Sequence, residues 1–114
     1  MAEKKVVLKV PKKIGGDDDH APIRISVSKQ DSVLWTCRTH GFKVLRIHKD
    51  PHAPAHLRKP NAPHNPFFRP FPAGAGKNGL LSSGPADQSA AGQQYKCTYR
   101  VGRHTIDPHI IIGR

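Results

Sequence analysis

Eight histidines and two cysteines carry most of the chemistry open to these 114 residues. Imidazole and thiolate ligate borderline and soft metals, and imidazole also moves protons near neutral pH. His40, His104 and His109 flank segments of regular alternation, where a fold could bring them together as a metal site. His52, His56 and His64 lie in proline-rich sequence, and Pro54 argues against the helix that would align the first two. His20 follows Asp17, Asp18 and Asp19, an oxygen-rich cluster that suits either a cation or an ordinary solvated loop. Cys37 comes two residues after Trp35, and Cys97 two after Tyr95. On strands, that spacing points both thiols to the same side as these large apolar groups, into a core. The pair either forms an inter-sheet bridge, which needs Cα atoms within about 7 Å, or rests as two inert buried thiols. No C-x-x-C motif supports disulfide exchange.

Other catalytic patterns are missing. Gly74, Gly76 and Lys77 lack the spacing and the Ser/Thr of a phosphate-cradling loop. Ser82, Ser83 and Ser89 stand in Gly/Ala-rich sequence without a nucleophile elbow. Glu3 is the sole glutamate, and no aspartate pair is spaced for acid–base work. The expectation is a non-enzymatic protein without a cofactor.

The formal charge of +11 builds a long-range positive field, which bears on partners more than on fold. Between Asp50 and Asp87 there is no acid at all, but there are Arg58, Lys59, Arg69 and Lys77, interleaved with Phe67, Phe68 and Phe71. Cations attract phosphates and aromatic rings stack on bases, so this mixture suits nucleic acid. It equally suits an arm docking on an anionic or protein partner through phenylalanine anchors. In a third reading the rings only cap an open end of the body. No run approaches the ~18 apolar residues of a membrane span. The first ten residues lack the apolar core and cleavage site of a signal peptide, so a native amino terminus would imply a cytoplasmic protein.

The elements that must position these groups read as strands. Val, Ile, Leu and Phe number 25, about 22% of the chain, enough for one modest core and a single domain over 1–114. Val6, Leu8 and Val10 alternate, as do Ile23, Ile25 and Val27, then Val33, Trp35 and Cys37. Phe42 to Ile47 follows, and Tyr95, Cys97, Tyr99 and Val101 alternate with Lys96, Thr98 and Arg100. A hairpin corner at 101–104 leads to a closing strand from Thr105 to Ile112, whose Ile110-Ile111-Ile112 suggests cover on both faces. Residues 49–93 contain no Val, Ile or Thr and many prolines, and so read as one long irregular Pro/Gly-rich insertion. The fold class is all-β, a sandwich.

Ile25-Ser-Val27-Ser-Lys29-Gln-Asp31-Ser-Val33-Leu-Trp35 resembles the I-x-V-x-x-G-D-x-V-x-W segment of the cupredoxins, the plastocyanin-related copper sandwiches. Tyr95-Lys-Cys97-Thr-Tyr99 is similar to their penultimate strand, and Asp107-Pro108-His109-Ile110-Ile111-Ile112 to their last. The pattern most resembles bacterial cupredoxin-like proteins ending in Y-K-Y-T…D-P-x-I-I-I, many of which lack copper. The resemblance spans 22–48 and 94–114 and implies a Greek-key arrangement. It would put a copper histidine at Phe42 and the copper thiolate at Tyr99, and the only methionine is Met1. A copper-free module is therefore expected, with an altered copper site built on His40, His104 and His109 as the alternative.

Overall fold

The computed structural model describes residues 2–10 and 22–114; the Asp17–His20 cluster lies outside them. The described chain is mostly strand, with two single-turn 3-10 helices at Ala55–Leu57 and Gln88–Ala90. In order, the strands are β1 (Glu3–Leu8), β2 (Ile23–Ser26), β3 (Ser32–Cys37), β4 (Phe42–Lys49), β5 (Ala73–Ala75), β6 (Leu80–Pro85), β7 (Gln94–Val101), β8 (His104–Ile106) and β9 (His109–Gly113). They form two sheets. The smaller runs β1-β3-β6, with β1 parallel to β3 and β6 antiparallel to it. The larger runs β2-β9-β7-β4-β5, with β8 also paired to β7 and β2 parallel to β9.

Period-two alternation set the core as expected. Val33, Trp35 and Cys37 of β3 and Tyr95, Cys97, Tyr99 and Val101 of β7 are all fully buried. β-branched and aromatic side chains favour such pleated, covered surfaces. Trp35 ties the sheets together: its indole N–H donates to the Tyr99 hydroxyl at 2.7 Å, from β3 of one sheet to β7 of the other. Tyr99, Phe67 and Phe71 meet the indole edge to face, at centroid distances of 6.0, 6.2 and 6.0 Å. Ile110, Ile111 and Ile112 are all buried, which accounts for the missing polar alternation there.

Two expectations need correction. The closing strand is two strands, because Asp107 and Pro108 interrupt it and proline brings no N–H to the ladder. The Pro108 carbonyl still accepts from Cys97 N–H at 2.9 Å, so β8 and β9 stay on the same side of β7. Nor is 49–93 irregular throughout. β5 pairs with β4, and β6 completes the small sheet against β3. Leu80-Leu81-Ser82-Ser83-Gly84-Pro85 has weak strand character of its own; pairing with β3 imposes it. Gly74 allows β5 to approach, since a Cβ there would lie 2.2 Å from the Phe42 carbonyl oxygen.

The truly irregular part, residues 50–71, is a strap laid on the body. Phe67 is buried and Phe71 half-buried against the core. The Tyr95 hydroxyl donates to the Pro63 carbonyl at 2.6 Å, and Asp87 N–H to the Pro66 carbonyl at 2.7 Å. Lys49 Nζ donates to the Pro60 carbonyl at 2.9 Å, and Lys59 N–H to the Gln93 side-chain oxygen at 2.6 Å.

Candidate anion-binding surface

The ladder pairings fix what the larger sheet shows on its outer side, because residues directly opposite one another share a face. Lys43 of β4 pairs with Arg100 of β7, which pairs onward with Thr105 of β8. Arg46 pairs with Thr98, and His48 with Lys96, which pairs onward with His109. The intervening positions, Phe42, Val44, Ile47, Cys97, Tyr99 and Val101, are buried. One face of the β4–β7 ladder is therefore core and the other is basic. None of the six strands of this sheet contains Asp or Glu.

The nearest carboxylates lie at the ends of strands. Asp50 follows β4 and is buried, 5% exposed. Its Oδ1 accepts from His52 N–H at 2.9 Å, and its Oδ2 accepts from the Gln94 amide at 2.8 Å and meets His109 Nε2 at 3.2 Å. Burial pushes this carboxyl up, but the His52 N–H, the Gln94 amide and the His109 imidazole outweigh it and hold it below the usual carboxylate range. His48 is shifted down, first by burial and then by Arg46 and Lys96, and its Nδ1 is buried without a hydrogen-bond partner. Burial first, and Arg46 and Lys96 after it, outweigh the opposing pull of Asp107 and Asp50 and hold His48 below its ordinary 6.5.

At the end of β4, where Lys49 pairs with Tyr95 and so stands on the opposite side of the ladder from the basic face, a pocket of about 310 Å³ is lined by Lys49, Asp50, Pro51, Arg58, Lys59, Pro60 and Gln93. Arg58 Nε donates to the Ala53 carbonyl, which leaves its terminal guanidinium N–H groups unspent. The Lys59 stem lies over Gly92, where a Cβ would be 2.7 Å from Lys59 Cε. Gly92 also has φ +88°, a conformation that other residues adopt only with strain. Among the described residues, Lys49, Arg58 and Lys59 have no ion-pair partner.

The residues singled out in the sequence separate into groups. Arg58 and Lys59 reach the pocket, while Arg69 and Lys77 are exposed elsewhere. Phe67 is buried against Trp35 and so is not available to a partner, and Phe71 packs on the same ring half-buried, which corrects the reading of three free phenylalanine anchors. Only Phe68 is outside, 75% exposed beside a second groove of about 350 Å³ with Val27, Pro85 and Ala86. His104 pairs with Val101 and His109 with Lys96. Those ladder positions are five residues apart on β7, roughly 17 Å. His40 stays at the Gly102 end, bonded to Thr39 Oγ1 at 2.8 Å. The three histidines therefore do not converge, and no group of three His, Cys, Asp or Glu side chains among the described residues is placed to hold a metal ion.

Cys37 and Cys97 are buried free thiols, so the bridge is not formed. Each has a hydroxyl neighbour instead: Cys37 Sγ lies 3.6 Å from Thr39 Oγ1, and the Cys97 thiol is near the Tyr99 hydroxyl. Burial pushes the Cys97 thiol far up, and a neutral thiol there is a poor nucleophile and a poor ligand.

The outer face of the sheet escaped the sequence reading, although its signal was present. Lys96, Thr98 and Arg100 read as the polar half of a strand, and nothing local shows that β4, with Lys43 and Arg46, is its neighbour. No helix among the described residues is long and apolar enough to cross a membrane. Compared with known proteins, the chain matches no family model, no curated protein and no solved structure.

Proposed function

We propose that this chain is a non-enzymatic, cupredoxin-like binding module that holds an anionic macromolecule against the basic face of its larger sheet and the adjoining strap. The observation that carries the proposal is the outer side of β4 and β7, where Lys43, Arg46, Lys96 and Arg100 share one surface and Asp107, between β8 and β9, is the acid that acts on its His48 end. Cations held together in excess of their counter-charges repel one another, and a polyanion relieves that repulsion. The cupredoxin-like reading is supported by the two parallel pairings, β1 with β3 and β2 with β9, and by Trp35 at the sheet junction. Copper has no part in it: Phe42 and Tyr99, at the positions that correspond to copper ligands, offer neither imidazole nor thiolate.

The face carries no exposed aromatic ring, so contact is electrostatic and indifferent to base sequence. The test is fluorescence anisotropy with a labelled single-stranded oligonucleotide bearing a 5′-hydroxyl, titrated at several salt concentrations. The expected logarithm of affinity falls linearly with the logarithm of salt, and Lys43→Gln with Arg100→Gln flattens that slope by about two contacts. No binding at low salt, or binding indifferent to salt, would overturn the proposal. Stronger binding of polyglutamate than of the oligonucleotide would assign the partner to acidic proteins.

A further inference from the structure

We infer that the pocket beside the strap is a binding site for a phosphate monoester dianion, with Lys49, Arg58 and Lys59 as its ligands. The inference rests on the anion-binding reading above and adds to it a discrete site with its own chemistry. Three cations from two parts of the chain line one concavity of about 310 Å³. Lys49 comes from the end of β4, and Arg58 and Lys59 from the strap. Each is held from the side. Lys49 Nζ gives one N–H to the Pro60 carbonyl and keeps two, and Arg58 gives its Nε–H to Ala53 and keeps its terminal pair. Lys59 is fixed at its backbone by the buried Gln93 and along its stem by Gly92. Their orientation is thus set before a ligand arrives, which lowers the entropy lost on binding.

Charge selects the ligand. Asp50 is the only acid lining the pocket; its oxygens accept from His52 N–H and the Gln94 amide, and Oδ2 also lies 3.2 Å from His109 Nε2. Three positive charges against one committed negative charge leave a surplus of two. A phosphate monoester carries close to two negative charges at pH 7, with three acceptor oxygens; a carboxylate or a bridging phosphodiester carries one. Arginine and lysine together suit that geometry, the guanidinium as a fork and the ammonium groups as point charges. The monoester could belong to a small molecule or to the end of a nucleic acid strand, and the experiment separates these sources.

Anisotropy compares one oligonucleotide with a 5′-phosphate and with a 5′-hydroxyl, while NMR shift titrations follow the backbone amides of Lys59 and Gln93 with inorganic phosphate and with a nucleoside monophosphate. The expected 5′-phosphate preference is roughly tenfold, the worth of one or two charge-assisted hydrogen bonds. Arg58→Gln with Lys59→Gln, both at exposed positions, should abolish that preference and the saturating phosphate shifts. Lys43→Gln with Arg100→Gln should weaken both oligonucleotides equally and leave the preference intact. Equal affinity for the two ends, with no saturable phosphate shift, would overturn the pocket while leaving the basic face standing. Saturable phosphate binding without oligonucleotide binding would support the pocket for a small molecule and remove the macromolecular reading. A preference that survives in the pocket variant would overturn the residue assignment.

Discussion

At the scale of single residues, the hydrogen bond from Trp35 to Tyr99 is the most consequential contact in the core. Both side chains are fully buried, so neither can turn to water if its partner is removed. Tyr99→Phe keeps the ring but leaves the indole N–H unpaired, with an expected loss of about 1–3 kcal/mol. Urea unfolding should show a lower midpoint at an unchanged m-value. The sequence indicated that Trp35 and Tyr99 face inward, because alternation is a local property. It did not indicate that they meet, since 64 residues separate them. The same distinction explains the histidines. Their types suggested a metal site, but whether His104 and His109 converge depended on where Pro108 breaks the last strand and on which part of β7 each then joins.

At the scale of elements, the strap was legible as proline-rich and basic, but its docking was not. Phe67 and Phe68 are adjacent and chemically identical, yet one is buried against Trp35 and the other is 75% exposed. Composition cannot separate them; the turn of the strap does, with Asn65 accepting from Phe67 N–H and donating to the Arg69 carbonyl. Phe67→Ala is expected to cost about 3–5 kcal/mol, as large-to-small core changes do, and Phe68→Ala less than about 0.5 kcal/mol. Thermal melts of the two variants side by side provide the check. β6 shows the complementary limit. Its Ser-Ser-Gly-Pro stretch carries little strand signal, and only the open edge of β3 makes a strand of it. Where β-branched alternation was strong, as in β3 and β7, sequence and structure agree.

For the whole molecule, charge and pH act together. The chain carries +11 with neutral histidines, and acidification adds up to eight more positive charges. Self-repulsion then opposes the compact state. His48 adds a specific contribution. Its folded pKa lies below the ordinary 6.5, so the unfolded chain binds its proton more readily and stability falls as pH drops below about 6.5. Asp50, held below the usual carboxylate range, contributes stability above its ordinary value of 3.8 that is lost as pH falls through its folded value. Melting temperatures measured from pH 8 to pH 2 should therefore decline in two stages, the first, below about 6.5, reduced in His48→Gln and the second, below 3.8, in Asp50→Asn. Added phosphate should raise the melting temperature at about pH 7–8, where it is largely a dianion, and progressively less as pH falls, because an anion bound only by the folded state stabilises it.

The chain has a single tryptophan, and its ring touches β7 through Tyr99 and the strap through Phe67 and Phe71. Its emission is thus a built-in optical reporter of how sandwich and strap hold together. Release of the strap alone would uncover the indole to water and shift its emission to the red while the sheets stayed intact by far-ultraviolet circular dichroism. Global unfolding would change both signals together, so a single unlabelled sample can tell an opened strap from a lost fold.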